Sequence, residues 1–574
     1  MAVHGSAGGR RPAVSRRPAA DARGRRSVDL LGRAWRPALW AAVFLSAATV
    51  VAAQVAPTCE GLYAAAPTIA EVEVARGPVF TEEDELPEWL PAATVNRLHP
   101  LSRPGLIEQE LLFAVGEALD RERVEETLRN LRDLGVLRRE EIRCEPLSGN
   151  RVRIMVATRD AWSLEPIVDL AMVDAGTAWT VGLRESNLFG RGKRIRATFA
   201  NRFGDPQIGV SYLDPRLLGS RWRWSLSGLD FGSGESAAAA VAHPFYSLET
   251  RWAGGLTASH RRGDEALIDD GVTATQYRAR RQSGRADLAY APVVGAPVVH
   301  RIGLFVSRSE RDFEATDATT ARLPMDRTEA AIGLNYRRLG VHYITERRID
   351  HFDRPEYLNL GNDFSLEIGF SSEGLGADAD EVLFAVSDTQ GVAFRPGHLL
   401  SGSVSGSGRL HAGRVDNLHV GGNVLWVVRE TAIDGAGLHH TLLGRADFLL
   451  TDRLDDDRFI SVGESTGLRG YSNHAITGQR RLRATVEDRI FSDLRIADLL
   501  AVGGIAFVDT GYVWERGETV DLADLATGAG FGLRLAWPAA ASEQVVRLDV
   551  AWPLNDVGGD NGDPKVSFLT TTRF

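Results

Sequence analysis

Residues 481–491 read RLRATVEDRIF, and this stretch decides the fold. Apolar and polar side chains alternate along it with the two-residue period of a β-strand. The apolar face consists of Leu482, Ala484, Val486 and Ile490, and the polar face of Arg481, Arg483, Thr485, Glu487 and Arg489. A long strand with one apolar and one charged face is typical of a transmembrane β-barrel, whose outer face contacts lipid and whose inner face contacts water.

Three further stretches near the C-terminus, 529–537, 546–554 and 565–574, repeat this alternation and carry aromatic residues near their ends. A soluble β-sandwich would also alternate, but it would turn its apolar faces inward and would not require so many long strands. We therefore predict a mainly β fold in which residues 176–574 form an antiparallel outer-membrane barrel. About 400 residues, at ~25 residues per strand with its connection, predict about 16 strands, and bacterial single-chain barrels have even strand numbers.

The composition agrees with a folded protein that does not bind nucleic acid. Hydrophobic residues make up 44% of the 574 residues, charged residues 25%, and glycine occurs 59 times, so the chain is neither disordered nor a bundle of apolar helices. The first 56 residues contribute +7 to the net charge of −10, so the remainder carries −17. Such an acidic chain has no electrostatic basis for nucleic-acid binding.

Residues 1–56 have the order of a secretory signal peptide with a long arginine-rich n-region. The apolar run 38–53 (ALWAAVFLSAATVVAA) follows the arginines and ends in small residues. This run is shorter than the ~20 residues of a membrane-spanning helix, which makes a membrane anchor the less favoured alternative. Cys59 and Cys144 are the only cysteines. Export permits a disulfide between them, and two unpaired thiols are the alternative.

Residues 66–160 predict one small α/β domain ahead of the barrel. Residues 69–79 favour a strand, Ser102 is a candidate N-cap for a helix extending to Leu119, and Asp120 is a candidate N-cap for a second helix. Two further strands follow the second helix, and the last of them alternates between apolar and arginine side chains. The predicted order is therefore strand, helix, helix, strand, strand.

Several motifs resemble, in their order along the chain, those of a known family. Leu468-Arg469-Gly470-Tyr471 lies in a loop rich in Gly, Ser and Asn. It resembles the (V/L/I)RG(F/Y) signature of the outer-membrane insertase and translocase superfamily of BamA- and TamA-type proteins, also known as the bacterial surface antigen family. Residues 187–192 (NLFGRG), 507–511 (FVDTG) and 530–534 (GFGLR) are similar to further motifs of that family. The strand-motif residues are Phe507, Gly511, Gly530, Gly532 and Arg534, and Phe574 matches the terminal aromatic assembly signal.

The resemblance covers residues 66–574 and implies a function. It implies that 66–160 is a polypeptide-transport-associated (POTRA) domain in the periplasm, and that the barrel lies in the bacterial outer membrane. The protein would assist insertion or translocation of polypeptides without enzymatic chemistry, cofactor or metal. Its partners would be outer-membrane lipid, an unfolded client polypeptide or secreted partner, and periplasmic accessory proteins, but no nucleic acid.

The resemblance leaves the client pathway open, because BamA and TamA have five and three such domains and this chain has room for one. A two-partner-type transporter for one dedicated secreted protein and a passive pore or structural barrel are the alternatives.

Arg469 and Asp509 are candidate partners in a lock inside the barrel. By strand parity Asp509 shares the lumenal face with Phe507 and Gly511. A carboxylate at such a position requires a cationic partner, and arginine offers a bidentate fork. We expect this pair to hold the loop 463–478 in the lumen, the alternative being an exposed Arg469 and a solvated Asp509.

No pattern in the sequence indicates catalysis or a metal site. Residues 463–467 (GESTG) fit G-x-S-x-G, but a nucleophile elbow needs a helix immediately afterwards, and no helical period follows. The aspartates at 455–457 and at 556, 560 and 563 lack EF-hand spacing, and we interpret them as parts of solvated extracellular loops. The sequence contains neither an H-E-x-x-H pair nor a G-x-x-x-x-G-K-[ST] phosphate loop.

Overall fold

The computed structural model describes residues 59–571, except for residues 82, 83, 85, 90, 174, 175, 203, 353, 430–436, 497, 498, 519, 520, 522, 523, 542, 543 and 558–561. The predicted signal peptide, 1–56, and the predicted assembly signal, Phe574, lie outside the described residues.

The small domain, residues 59–160, is a three-stranded sheet packed against helices. Its elements are a 3₁₀ helix (Cys59–Ala65), β1 (Thr68–Gly77), α1 (Ala92–Leu98), α2 (Pro104–Glu108), α3 (Arg121–Asp133), β2 (Leu137–Leu147) and β3 (Arg151–Asp160). The central strand β3 runs parallel to β1 and antiparallel to β2. Ile69, Leu131 and Ile154 are fully buried and form the centre of the apolar core.

The first long helix predicted for this domain, from Ser102 to Leu119, is wrong beyond the short α2. Gly116 has a φ of +93°, which lies outside the right-handed helical region. Its backbone N–H donates instead to the carbonyl of Ile69 in β1, at 2.8 Å. The second helix, α3, begins where it was expected, because the Asp120 carboxylate accepts a backbone N–H of the first turn at 2.9 Å.

Cys59 and Cys144 form a disulfide within the small domain, with 4.8 Å between their Cα atoms and a separation of 85 residues in the chain. A crosslink that closes a loop of this length restricts the unfolded chain strongly. Replacing both cysteines with serine is expected to lower the free energy of unfolding of the small domain by about 4 kcal/mol. Hydrogen exchange of the β3 amides in the full chain measures this loss, and equal exchange in the serine variant and the oxidised wild type would contradict it.

A closed antiparallel barrel of twenty strands follows the small domain. The strands after the small domain are β4 (Leu164–Val173), β5 (Gly176–Leu188), β6 (Lys193–Arg202), β7 (Asp205–Asp214), β8 (Arg223–Phe231), β9 (Gly234–His243), β10 (Trp252–Asp269), β11 (Val272–Val293), β12 (Val298–Ala315), β13 (Arg327–Gly340), β14 (Tyr343–Glu346), β15 (Glu356–Asn359), β16 (Asp363–Ser371), β17 (Glu381–Arg395), β18 (His398–His411), β19 (Arg414–Arg429), β20 (Leu438–Asp452), β21 (Ile460–Val462), β22 (Ile476–Gly478), β23 (Arg480–Ile496), β24 (Leu500–Trp514), β25 (Ala526–Ala536), β26 (Val545–Pro553) and β27 (Lys565–Thr571). Short 3₁₀ helices lie at Leu217–Gly219, Glu373–Leu375 and Glu464–Thr466. Of these strands, β14 pairs only with β15 and β21 only with β22, while all the others belong to the barrel.

The predicted number of about 16 barrel strands is wrong because the connections are shorter than assumed. Twenty strands between residues 164 and 571 leave about 20 residues for each strand with its connection. Among the described residues, two hairpins close with only two residues that are both at positive φ, Asp270-Gly271 and Ala412-Gly413. This backbone is that of a type I′ turn, whose twist matches that of the paired strands.

The barrel also begins earlier than the predicted start at residue 176. Its first strand, β4, starts at Leu164, only four residues after the end of β3. Because the strands alternate in direction and their number is even, the first strand begins and the last strand ends on the side of the barrel where the small domain lies. None of the helices in the described part of the chain has the length and apolar character that a membrane crossing requires.

The two faces of the barrel wall differ in the predicted sense. Outward side chains such as Val486 and Phe531 are apolar and remain 53% and 59% exposed in the isolated chain. Their lumenal neighbours Glu487 and Asp509 are buried. The exposed apolar belt is therefore the surface available to lipid, and the charged residues lie inside.

Candidate functional site

The candidate site lies in the lumen, where the loop between β20 and β23 folds into the barrel. We call this segment, residues 453–479, the lid loop. It contains the short hairpin of β21 and β22 and an apolar cluster with the barrel wall. The cluster joins Val462, Leu468, Tyr471 and Ala475 of the lid loop to Val513 and Ala526 of the wall. Burial of Leu468 and Tyr471 explains why two of the four motif residues are large and apolar.

The structure brings Arg469 and Asp509 together. Arg469 Nε lies 2.6 Å from Asp509 Oδ2, and Arg469 Nη2 lies 2.8 Å from Asp509 Oδ1. The backbone N–H of Arg469 adds a third hydrogen bond to this carboxylate, at 3.2 Å. The Asp509 side chain is fully buried and that of Arg469 is 13% exposed. This is a bidentate, charge-assisted pair shielded from bulk water.

Two further lumenal side chains hold Arg469, and sequence reasoning missed both of these roles. Arg469 Nη2 donates to Glu487 Oε1 at 2.9 Å. The guanidinium lies over the ring of Phe507, 3.5 Å from its centroid. Both residues occupy the lumenal face of neighbouring strands, and Glu487 is paired in register with Phe507. The pairing register is the signal that would have identified them, and it cannot be read from one strand alone.

Gly470 and Tyr471 fix the tip of the motif against β25 and β26. Gly470 has a φ of +92°, and a Cβ there would lie 2.9 Å from the carbonyl carbon of Trp552. The Tyr471 hydroxyl donates to the carbonyl of Thr527 at 3.0 Å and contacts Asn555 Oδ1 at 2.5 Å. A residue with a side chain at 470 would therefore be strained and crowded, while Tyr471 anchors the loop at the extracellular end of β25.

The glycines of the strand motifs leave room for neighbouring lumenal side chains. A Cβ on Gly530 would lie 2.5 Å from the Phe507 ring, and one on Gly532 would lie 1.9 Å from Asp549 Oδ1. Gly511 faces Leu468, with 3.7 Å between its Cβ position and a Leu468 methyl group.

Arg534, the last residue of the second strand motif, is fully buried in the wall of β25. It forms a bidentate pair with Asp549 of β26, with 2.5 Å between Nη1 and Oδ1 and 3.2 Å between Nη2 and Oδ2. The glycines of the strand motifs thus leave room beside the Arg469–Asp509 pair, and Arg534 provides the positive charge that pairs with Asp549.

The acidic run at 455–457 is not simply solvated, which corrects our interpretation of its sequence. Asp455 Oδ1 lies 2.5 Å from Arg409 Nη2, and Asp455 Oδ2 lies 3.1 Å from Arg311 Nη1. Asp457 pairs with Arg281 at 3.0 Å. These arginines lie on β18, β12 and β11, which are four, eight and nine strands away from β24, the strand of Asp509, in the twenty-strand barrel. The lid loop is therefore tied to the wall near its start as well as at Arg469.

A second segment enters the lumen from the side of the small domain. We call residues 341–362, between β13 and β16, the plug segment. Phe352 is buried against Phe491, with 5.1 Å between ring centroids. Arg489 Nη1 donates to the carbonyl of Ile349 at 2.7 Å and to Asp350 Oδ1 at 2.8 Å. Nothing in the polar sequence of this segment had predicted a lumenal position.

A continuous chain of ion pairs connects the lid loop to the plug segment through charged residues of the barrel wall. Arg489 Nη2 lies 2.9 Å from Glu487 Oε2, and Glu487 in turn binds Arg469. The order is Asp509, Arg469, Glu487, Arg489 and Asp350. A displacement of either segment therefore removes a partner from a shared, largely buried network.

The 187–192 motif forms the first turn on the side of the small domain, between β5 and β6, and contacts that domain. Asn187 Nδ2 donates to Ser102 Oγ at 2.9 Å, and the backbone N–H of Arg103 donates to the carbonyl of Gly190 at 2.8 Å. A Cβ on Gly190 would lie 2.3 Å from the carbonyl oxygen of Leu101. The motif thus holds the small domain against the barrel.

Glu464 is a half-buried carboxyl group in the lid loop. Burial raises the pKa of its carboxyl to about 7, against the opposing attraction of Lys565. Among the described residues, no group of three or more His, Cys, Asp or Glu side chains is arranged to hold a metal ion.

The C-terminal part of the chain matches a known domain family. Residues 435–574, which include the lid loop and the five strands after it, match the Omp85 superfamily domain. This match confirms the resemblance inferred from the Leu468–Tyr471 motif, and Arg469, Asp509 and Arg534 all lie within the matched Omp85 residues. An Omp85 domain in a closed barrel with an apolar outer face places the protein in the bacterial outer membrane.

Solved structures with similarity to the chain include BamA and CdiB proteins. BamA from Haemophilus ducreyi lacking POTRA domains 1–3 aligns at 12% identity and a TM-score of 0.41, over 88% of this chain and 84% of that one. CdiB from Acinetobacter baumannii aligns at 11% identity and a TM-score of 0.47, over 88% and 74% of the two chains. CdiB from Escherichia coli aligns at 13% identity and a TM-score of 0.45, over 88% and 77%. None of the curated proteins compared matches the chain.

Proposed function

We propose that this Omp85 protein assists insertion or translocation of client polypeptides at the outer membrane, without enzymatic chemistry. In this proposal residues 66–160 act as a POTRA-like docking domain in the periplasm, and the barrel supplies the route into or across the membrane. The partners are outer-membrane lipid and an unfolded client or secreted protein, with periplasmic accessory proteins as further contacts.

The observation that carries the proposal is the weak closure of the barrel. Among the described residues, the last strand, β27, pairs with the first, β4, through three residue pairs: Val566 with Met172, Ser567 with Ala171, and Phe568 with Leu170. Thr570 adds hydrogen bonds to Val168 and Asp169 across the same seam. The neighbouring pair β4–β5 has ten residue pairs and β26–β27 has seven. Because each backbone hydrogen bond contributes ~1 kcal/mol net, this seam is the easiest place to open the wall.

The outer strand β2 of the small domain offers an edge for client capture. It pairs with β3 alone among the described strands, and Pro146 near its end is typical of an edge strand. An extended polypeptide that adds to this edge gains backbone hydrogen bonds without a fixed sequence. Capture would take place beside the first barrel strand, because only residues 161–163 separate β3 from β4.

The lid loop favours a second candidate, a transporter for one dedicated secreted protein. A lumen whose loop is tied to the wall at two separate strands, β24 and β18, suits a route that opens only for a partner. A passive pore would not require these ion pairs between the lid loop and the barrel wall.

Client capture can be tested by photo-crosslinking in cells. We expect a photoreactive amino acid at Arg139, on the β2 edge, to trap polypeptides in transit, whereas the same group at Arg151, at the start of the central strand β3, traps few. Mass spectrometry identifies the trapped chains. Deleting residues 59–160 should leave a barrel that still inserts but no longer supports its clients. Equal crosslinking at the two positions together with unchanged activity after the deletion would favour the passive pore instead.

A further inference from the structure

A cavity of about 480 Å³ lies against the first half of the barrel wall, and all the residues that line it belong to strands β5 to β11. Ile195 and Phe199 of β6 are exposed on the apolar outer face of this wall. Because side chains alternate along a strand, Arg194 and Arg196 of β6 face the lumen. We call this space the arginine cavity, and its volume is within the range of ordinary ligand sites.

The lining of the arginine cavity consists of hydrogen-bond donors and small side chains. Arg184, Arg194 and Arg196 contribute to it, and none of the described residues that line it is an aspartate or a glutamate. Six hydroxyl groups on the lumenal face complete the polar lining, those of Ser211, Ser225, Ser227, Thr257, Ser259 and Ser283. Guanidinium and hydroxyl groups donate hydrogen bonds to carboxylates and phosphates, so the cavity has the chemistry of an anion site.

The arginines of β5 and β6 are placed where they repel each other. Arg184 and Arg196 are directly paired in the β5–β6 register, and like charges at such positions destabilise a sheet. Arg184 is compensated by Glu165 of β4, with 3.2 Å between Nη1 and Oε2. Arg194 donates to the carbonyl of Leu134 in the small domain at 2.5 Å. An anion in the cavity would relieve the repulsion that remains.

Arg196 is the arginine best placed to bind such an anion. It forms no hydrogen bond or ion pair with the described residues of the chain. Asp169 of β4 attracts it electrostatically, but Asp169 Oδ1 already accepts the backbone N–H of Thr570 at 2.7 Å. Three arginines face two acidic side chains, Glu165 and Asp169, so one positive charge remains in excess.

The position of the cavity favours a polypeptide over a lipid as the source of the anion. The arginines face the lumen, so the barrel wall separates them from lipid at the outer face. Only β4 lies between β5 and the seam, so a chain that leaves the lumen through the seam passes this cavity. Arg194 and Arg196 are two residues apart on β6, and alternate side chains of an extended client have the same spacing of about 7 Å.

We propose that the arginine cavity binds the carboxylate side chains of an extended client segment that carries acidic residues at alternate positions. Each carboxylate accepts charge-assisted hydrogen bonds from a guanidinium group and offsets the repulsion between Arg184 and Arg196. The inference rests on the proposed function and deepens it, because it names the chemical class of the client.

Binding can be measured by fluorescence anisotropy on the purified full-length protein in phosphatidylcholine nanodiscs. The probe is a labelled heptapeptide in which aspartate alternates with threonine, and the reference peptide has asparagine in place of aspartate. The aspartate peptide is expected to bind about tenfold more tightly than the reference. Arg196→Gln should remove most of this difference and leave the affinity for the asparagine peptide unchanged.

Arg445→Gln is the matched control, because it removes the same charge from the lumen outside the cavity. Arg445 lies on β20, is exposed, and is paired in register with Thr485 on the lumenal face of β23. It should leave the affinity for both peptides unchanged. A photoreactive amino acid at Ser227 should trap the aspartate peptide, whereas the same group at Asn423, on the lumenal face of β19, should not.

Equal affinity for the two peptides, or equal losses in Arg196→Gln and Arg445→Gln, would overturn the inference. Loss of the Arg196 effect when the nanodiscs contain phosphatidylglycerol would also overturn it, because a lipid headgroup would then occupy the site. These outcomes are separate from the proposed function. A protein that traps clients at Arg139 in cells but binds both peptides alike keeps its proposed role without this site, and the reverse result leaves an anion site without the proposed role.

Discussion

Replacing Arg469 with alanine is expected to release the lid loop from the lumen. All the hydrogen bonds that the Asp509 carboxylate accepts from described residues come from Arg469, and two of the three are lost. Removing one partner of a buried ion pair destabilises the state that buries the other by about 3 to 5 kcal/mol. Even the lower value increases the population of the released loop more than a hundredfold.

Limited proteolysis from the outside measures this release. Cleavage within 463–478 should accelerate strongly in Arg469→Ala, while Arg458→Ala, which removes an exposed arginine of the same loop, should leave it unchanged. Asp509→Ala should show the same phenotype as Arg469→Ala. The double variant should lose less stability than the sum of the two single variants, because both remove one shared interaction.

Lysine at position 469 should only weakly restore the retention of the lid loop in the lumen. The guanidinium donates to both oxygens of Asp509 and to Glu487 while lying over Phe507, and a single ammonium group cannot reproduce this geometry. Strictly additive effects of Arg469→Ala and Asp509→Ala would exclude the lock, although the barrel itself would stand.

The barrel and the lumenal position of Asp509 could be predicted because both follow from the two-residue alternation within single strands. Alternation along 481–491 assigns each side chain to a face, and parity alone places Asp509 in the lumen. Arginine is the natural partner of a buried carboxylate, so the loop motif around Arg469 completes the pair. These inferences require no knowledge of which strands are neighbours.

The remaining features depend on contacts that no local pattern encodes. The predicted number of strands was wrong because it depends on the length of the turns. Two-residue turns such as Ala412-Gly413 have no strong sequence signal when alanine takes the first position. Glu487 joins the lock only through its register with Phe507. The plug segment has the polar composition of a surface loop, and its one buried ring, Phe352, finds its partners on strands more than 130 residues away in the chain.

Closing the seam between β27 and β4 is expected to abolish insertion of clients into the membrane. Leu170 and Phe568 are paired across the seam, so cysteines at both positions can form a disulfide there. The native cysteines are already bonded to each other and do not compete. Since the described residues of the seam form only three residue pairs, one covalent bond there adds strongly to what strand separation must break.

A matched control uses the same position on the other side of the last strand. Phe568 is also paired with Leu548 of β26, so the cysteine pair 548/568 crosslinks two strands that need not separate. The oxidised 170/568 variant should lose nearly all activity and regain it on reduction, whereas the 548/568 variant should work in both states. Both variants should remain heat-modifiable folded barrels on gels, which separates lost function from lost structure. If the oxidised 170/568 protein is fully active, clients do not pass through the wall, and the route must run through the lumen past the lid loop.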